Sequence, residues 1–237
     1  MRRVVDAVGV GLAWSASLAL VSGILGLVGL LAWRGGSTLG TELFFGDAPA
    51  WAALVGKARV FDGIWPAMAG TLALVGLATV FAVPIGVGSG IYLAVYSRPR
   101  ARRLLDVGID VLAGIPSVVM GLFGFALILL LRRTVAPDAT TGLILASACI
   151  GLLVLPYLAR TTQVALAGLP DELHLVGPAL GFTRWQTTRH VLLPAAGRGI
   201  LGGVMLAVGR AAEDTAVIML TGAVWSAGLP SGLTERF

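Results

Sequence analysis

The chain has 237 residues, 57% of them hydrophobic and only 12% charged, with a formal net charge of +5 and a mean hydropathy of +0.92. Soluble domains carry about a quarter of their residues as Asp, Glu, Lys and Arg, so this chain cannot cover a water-facing surface, and its apolar bulk excludes disorder too. A single cysteine, Cys149, and two histidines, His174 and His190, rule out a disulfide framework and argue against a zinc site. The predicted class is an all-α, polytopic membrane protein.

Residues 7–33 follow Arg2 and Arg3 without a charge, which is too long for the apolar core of a signal peptide and reads as a first span. A helix needs about 20 largely apolar residues to cross a bilayer. On that rule five spans are expected, at 7–33, 66–96, 108–131, 139–160 and 197–219, in one transmembrane domain covering 1–237. The second span contains Gly70, Gly76, Pro84, Gly86, Gly88 and Gly90, and the third Pro116, Gly121 and Gly124. Small residues let membrane helices approach closely and proline permits kinks, so Gly70, Pro84, Gly86, Pro116 and Gly121 are expected at helix contacts. Trp33 and Trp65 suit interfacial anchoring.

Orientation follows from Lys and Arg. With a cytoplasmic N-terminus, the inside segments hold Arg2, Arg3, Arg98, Arg100, Arg102, Arg103, Arg160, Arg184, Arg189 and Arg198. The outside segments hold Arg34, Lys57, Arg59, Arg132, Arg133 and Arg236, so the positive side is the N-terminal one and the net charge requires no nucleic acid. Asp106 is expected in solvent beside Arg102 or Arg103, and Asp110 at the interface, neither with a role. Arg160, closing the fourth span, either snorkels to the interface or lines a path; Tyr157 shares its face and reads as packing.

Residues 169–194, LPDELHLVGPALGFTRWQTTRHVLLP, are too polar to span. Pro170 suits a first helical position with Asp171 and Glu172 in the first turn. Gly181 suits a helix stop, and Thr183 with Gln186 forms a capping-box signature for a second short helix. The hairpin either rests on lipid headgroups or offers a helix to a cytoplasmic partner.

The fifth span carries Arg210, Glu213 and Asp214. Arg210 lies eleven residues past Gly199, roughly 16 Å along a helix at about 1.5 Å per residue. A charge at that depth costs at least about 2.5–3.5 kcal/mol. Glu213 and Asp214, at i+3 and i+4, share its helix face. Either they neutralise Arg210 and lock packing, or Arg210 lines an oxyanion path, its guanidinium forking to phosphate oxygens, with a carboxylate holding it and weakening the anion for release.

Gly181, nine residues and then Val191-Leu192-Leu193-Pro194 resemble the cytoplasmic loop of ABC importer permeases, whose pattern is EAA, three residues, Gly, nine residues, I-x-L-P. The EAA positions hold Leu175, Val176 and Gly177, so a carboxylate contact at the first is lost. Five further stretches in family order resemble the phosphate-specific permeases, particularly their A-type subunit: GIWPAMAGTL (63–72), VPIGVGSGIYLAVY (83–96), GIPSVVMGLFG (114–124), LPYLARTTQVAL (155–166) and GRAAEDTA (209–216). Departures are Val95 for an acidic residue before Tyr96, and Glu213-Asp214-Thr215 where the family has Gly-Glu-Thr.

The resemblance implies a type I importer transmembrane domain in the bacterial inner membrane, translocating inorganic phosphate. Implied partners are a second permease subunit, a cytoplasmic ATPase dimer and an extracytoplasmic phosphate-binding protein. It implies ATPase coupling through Glu172, Leu175, Val176, Gly177, Gly181, Val191, Leu193 and Pro194. It also implies a translocation-path network of Arg160, Arg210, Glu213, Asp214 and Thr215. The chain has no GxxxxGK[ST] loop, so ATP would be used by the partner, and no cofactor is expected on this chain. Another oxyanion or small solute is the alternative cargo; a channel or secondary transporter would need no ATPase. Permeases of this kind have six spans, the last following the segment that matches 222–237, so this sequence either is a fragment or lacks that helix.

Overall fold

Within lipid a backbone can satisfy its polar groups only as a helix or a closed barrel, and long apolar runs rich in Leu and Ala favour the helix. The computed structural model, which describes residues 2–55, 57–58, 60, 63–134, 137 and 142–221, is helical with no strand among those residues. Five described stretches are long and apolar enough to cross a membrane: Val8–Thr38, Trp65–Tyr96, Ser117–Thr134, Leu143–Ala167 and Arg184–Glu213. Residues 222–237, the segment expected to precede a sixth span, lie outside the described residues.

The chain divides into two compact units, Met1–Trp65 and Pro66–Phe237. In the first, helix α1 (Arg2–Gly35) is followed by a 3-10 turn and two short helices, α2 (Thr41–Phe45) and α3 (Ala50–Leu54), where sequence had suggested only a connection. Ala53 and Val60 are its buried apolar residues, and the Phe45 and Trp65 rings lie 5.7 Å apart. A Cβ on Gly63 would fall 2.3 Å from the Phe44 carbonyl oxygen, so only glycine fits that turn.

The second unit is built around α7 (Leu143–Ala167), whose buried face runs from Leu143 to Leu166. Helix α4 (Trp65–Ile91) continues as a π-helical turn at Tyr92–Tyr96. It meets α7 along a glycine seam: a Cβ on Gly86 would lie 2.5 Å from Leu158 Cβ, and one on Gly90 2.6 Å from the Ala159 carbonyl oxygen. Ser147 Oγ donates to the Leu74 carbonyl across the same contact at 3.3 Å. Gly70 is buried within α4, and Pro84 sits inside it without ending it.

The third expected span starts later than hydropathy suggested. Residues 99–113 form a separate amphipathic helix, α5 (Pro99–Ala113), none of whose residues is buried, and the membrane-length helix α6 begins at Ser117 and ends at Thr134. The break has a local cause: Pro116 lacks an N–H and disfavours helical backbone at Ile115, while the Gly114 N–H closes α5 on the Asp110 and Val111 carbonyls. The fourth span is α7, described from Leu143, and it extends past 160 to Ala167.

Span five departs most. After α8 (Asp171–Ala179), the chain is helical without interruption through α9 (Arg184–Thr187), a π-helical turn (Thr188–Leu192) and α10 (Leu193–Glu213). The second hairpin helix is therefore the start of the span. Pro194 has no N–H to return to the preceding turn, and the widened turn just before it absorbs that defect. At the other end α10 stops at Glu213, and a separate helix α11 (Ala216–Thr221) follows. The continuous span to 219 is thus two helices. Helix α11 packs on α6, where a Cβ on Gly121 would come within 2.8 Å of Leu220 Cδ1, and one on Gly124 within 2.7 Å of Thr221 Cγ2.

Candidate functional site

Two groups of paired charged side chains lie on neighbouring helices of the second unit. In the last turn of α10, Arg210 Nη1 pairs with Glu213 Oε1. A cation there is favoured by the negative end of the helix dipole. Asp214, which spacing assigns to the same face, does not join the pair. Its backbone leaves the helix (φ −76°, ψ 111°), and its buried carboxylate accepts from the Val217 N–H at 2.9 Å, capping α11. The expected i, i+4 contact is lost because the residue that would make it is needed to start the next helix. Thr215 is exposed in the break, its carbonyl accepting from the Met219 N–H at 3.0 Å. One carboxylate leaves much of the Arg210 guanidinium unused, and its Nε is buried without a hydrogen-bond partner among the described residues.

The second group centres on Arg160 of α7. Its Nη1 donates to Asp106 Oδ1 at 2.7 Å and to Gln163 Oε1 at 2.9 Å, and its Nη2 donates to Asp110 Oδ1 at 2.5 Å. Gln163 Nε2 donates to the same Asp106 oxygen at 3.2 Å, and Arg102 Nε stands 3.9 Å from Asp106 Oδ2. Asp106 is therefore beside Arg102 as expected, but its principal partner is Arg160. Asp110, given no role from sequence, is an ion-pair partner. Arg160 is held by α5 instead of snorkelling free. A cleft of about 470 Å³ is lined by Tyr157, Arg160, Thr161, Val164, Ala165 and Gly199.

At the other end lies the hairpin. Pro170 is the residue before the first turn of α8, one position earlier than expected, with Asp171 and Glu172 opening the helix. Gly181 takes φ +73°, the left-handed conformation that ends α8. The capping box forms: Gln186 N–H donates to Thr183 Oγ1 at 3.3 Å and Thr183 N–H to Gln186 Oε1 at 2.8 Å. Gly177 is where α8 and α9 touch, since a Cβ there would sit 1.9 Å from Thr187 Oγ1. Beneath it, Leu166, Leu192 and Ala196 form a small core with Ile91, Val95 and Leu173. The Tyr96 and Thr188 hydroxyls, one from each π-helical turn, hydrogen-bond at 3.2 Å. Turned outward are Leu175, 67% exposed, and Trp185, 58% exposed, with Val176 also exposed. Val191 and Leu193 are half-buried, and Pro194 is exposed.

Residues 86–233 match the family described as the binding-protein-dependent transport system inner membrane component. The chain is 36% identical over 162 residues to the phosphate transport system permease protein PstA 1 of Mycobacterium tuberculosis, covering 67% of this chain and 50% of that one. It is 32% identical over 211 residues to phosphate transport system permease protein PstA of Haemophilus influenzae, covering 86% and 70%. With PstC of Mesorhizobium japonicum it shares 29% identity over 221 residues, covering 85% and 66%. The chain spans about half the length of the mycobacterial relatives it matches. Among solved structures, an inward-facing form of the MetNI methionine ABC transporter matches with a TM-score of 0.55 and 22% identity, covering 69% of this chain and 71% of that one.

Proposed function

Because the chain belongs to the binding-protein-dependent transport system inner membrane component family and has the multi-pass type I ABC importer transmembrane fold, we propose that it is the permease subunit of an ATP-driven phosphate importer. Its N-terminus is cytoplasmic, and it works with a second permease subunit, a cytoplasmic ATPase dimer and an extracytoplasmic phosphate-binding protein. The substrate reading is supported by the relatives' names and carried by one observation. Arg210, on a membrane-length helix, is met by the single carboxylate of Glu213 while Asp214 caps α11, so guanidinium donors remain for an oxyanion. A guanidinium presents paired N–H groups that match phosphate oxygens. Glu213 competes for the same donors and keeps anion binding weak enough for release.

Coupling follows from helix continuity. The 30-residue helical run Arg184–Glu213 joins the hairpin to Arg210, a length of about 45 Å at 1.5 Å per residue. The ATPase seats on the exposed Leu175, Val176 and Trp185 side of the hairpin, and ATP-driven movement there displaces α10 along its contact with α7. The first EAA position carries Leu175, so this docking rests on shape and apolar contact. The test uses the complete transporter in proteoliposomes with binding protein and ATP. Radiolabelled phosphate should enter and sulfate should not, and Arg210→Gln should abolish uptake while the subunits still co-purify. Wild-type uptake by that variant, or equal entry of sulfate, refutes the assignment.

A further inference from the structure

The Arg160 group poses a question that the transport reading leaves open. A path-lining arginine should offer its donors to the anion, yet here each terminal nitrogen already donates to a carboxylate. Both come from α5, a helix with no buried residue, of which the sequence reading places only 108–113 in a span. Asp106 and Asp110 are four residues apart on α5, where like charges on one face repel; Arg160, bonded to both, is what makes that arrangement favourable.

The two carboxylates are held unequally. Asp106 receives Arg160, Gln163 and, at 3.9 Å, Arg102, and its side chain is 26% exposed. Asp110 has Arg160 as its partner and is 64% exposed, so it can leave for water at small cost. Gln163 is buried and fixes the Nη1 side of the guanidinium. The Nη2 side is held by the more exposed of the two carboxylates, so it is the side more readily exchanged.

We propose that Asp106 and Asp110 are positioning residues of the transport step: they hold Arg160 as a partly occupied cation, and an oxyanion gains the Nη2 N–H that Asp110 now accepts only by displacing Asp110. This rests on the phosphate-path reading of Arg160 and adds an internal competitor to it. Asp106 keeps the guanidinium oriented toward the cleft while Asp110 sets how tightly the anion is bound. Because α5 supplies the competitor, any movement of α5 against α7 changes the anion affinity of Arg160 without moving Arg160 itself.

The test is modification of Arg160 by phenylglyoxal in the complete reconstituted transporter, quantified by mass spectrometry of the peptide containing it, across a titration of inorganic phosphate. In the wild type, modification is slow and millimolar phosphate protects. In Asp110→Asn, unprotected modification should be several-fold faster and half-protection should need about tenfold less phosphate; Asp110→Glu should restore both. Asp110→Ser repeats the measurement if the asparagine variant fails to assemble. A purely structural salt bridge would alter assembly without moving the phosphate concentration for half-protection. Equal half-protection in wild type and Asp110→Asn overturns the displacement step and leaves the path reading standing. If phosphate protects Arg160 in neither protein, Arg160 is not in the path, and both fall.

Discussion

Replacing Gly177 with alanine tests whether the hairpin is a fitted unit or a loose loop. The added Cβ would lie 1.9 Å from Thr187 Oγ1, 2.5 Å from its Cγ2 and 2.6 Å from its Cβ. Thr187 cannot rotate out of the way, because all three of its side-chain atoms are involved and its hydroxyl donates to the Thr183 carbonyl at 3.1 Å. Helix α8 must therefore move off α9, and overpacking of this kind costs about 1–3 kcal/mol. Local opening of the hairpin then becomes roughly 5- to 150-fold more populated, and cleavage at Arg184 and Arg189 by a trace of trypsin rises in proportion when opening is fast. Recovery of the ATPase with the permease should fall in parallel. Gly177→Ala combined with Thr187→Gly removes these three contacts and should return cleavage toward the wild-type rate, less the helix-propensity cost of a glycine, about 1 kcal/mol. Wild-type cleavage and ATPase recovery in the Gly177→Ala single variant would refute the close-contact reasoning.

Three further tests probe the membrane half. Asp214→Ala removes the cap on α11 and should destabilise the protein by about 1 kcal/mol, with Asp214→Asn recovering most of it, as read from thermal inactivation in detergent; equal loss in both variants would count against the capping role. Gly124→Ala places a Cβ 2.6 Å from Cys149 Sγ, so maleimide labelling of this buried thiol should accelerate, and an unchanged rate contradicts the packing. Gly203→Ala meets Thr161 Oγ1 at 2.2 Å whereas Gly202→Ala meets nothing within 4 Å; the first should destabilise by about 1–3 kcal/mol and the second should be stabilising by about 0.5–1 kcal/mol, so equal effects would remove the α7–α10 seam.

What could be read in advance divides by the range of the interaction. The apolar runs mark their helices because lipid leaves the backbone one local solution, and the Thr183–Gln186 cap formed as written because both partners lie within one turn. Boundaries set by a single residue were harder. Asp214 could be read as a fourth-neighbour partner of Arg210 or as the first residue of a new helix, and only packing of α11 against Gly121 and Gly124 selects the second. The same holds at 114–116, where an apolar run ignored what Pro116 does to Ile115. The contacts of Arg160 with Asp106 and Asp110 bridge 54 and 50 residues, beyond any periodicity argument. The available sign was weaker: Asp106 and Asp110 repeat at four residues on an amphipathic helix, Arg160 and Gln163 at three on α7, and such like-charged repeats near a membrane need a cation. That pairing changes how the two arginines relate. Arg210 is joined to the hairpin by one unbroken helix, whereas Arg160 is tied to α5, so one cation is opposed by a carboxylate of its own helix and the other by carboxylates of a neighbouring helix.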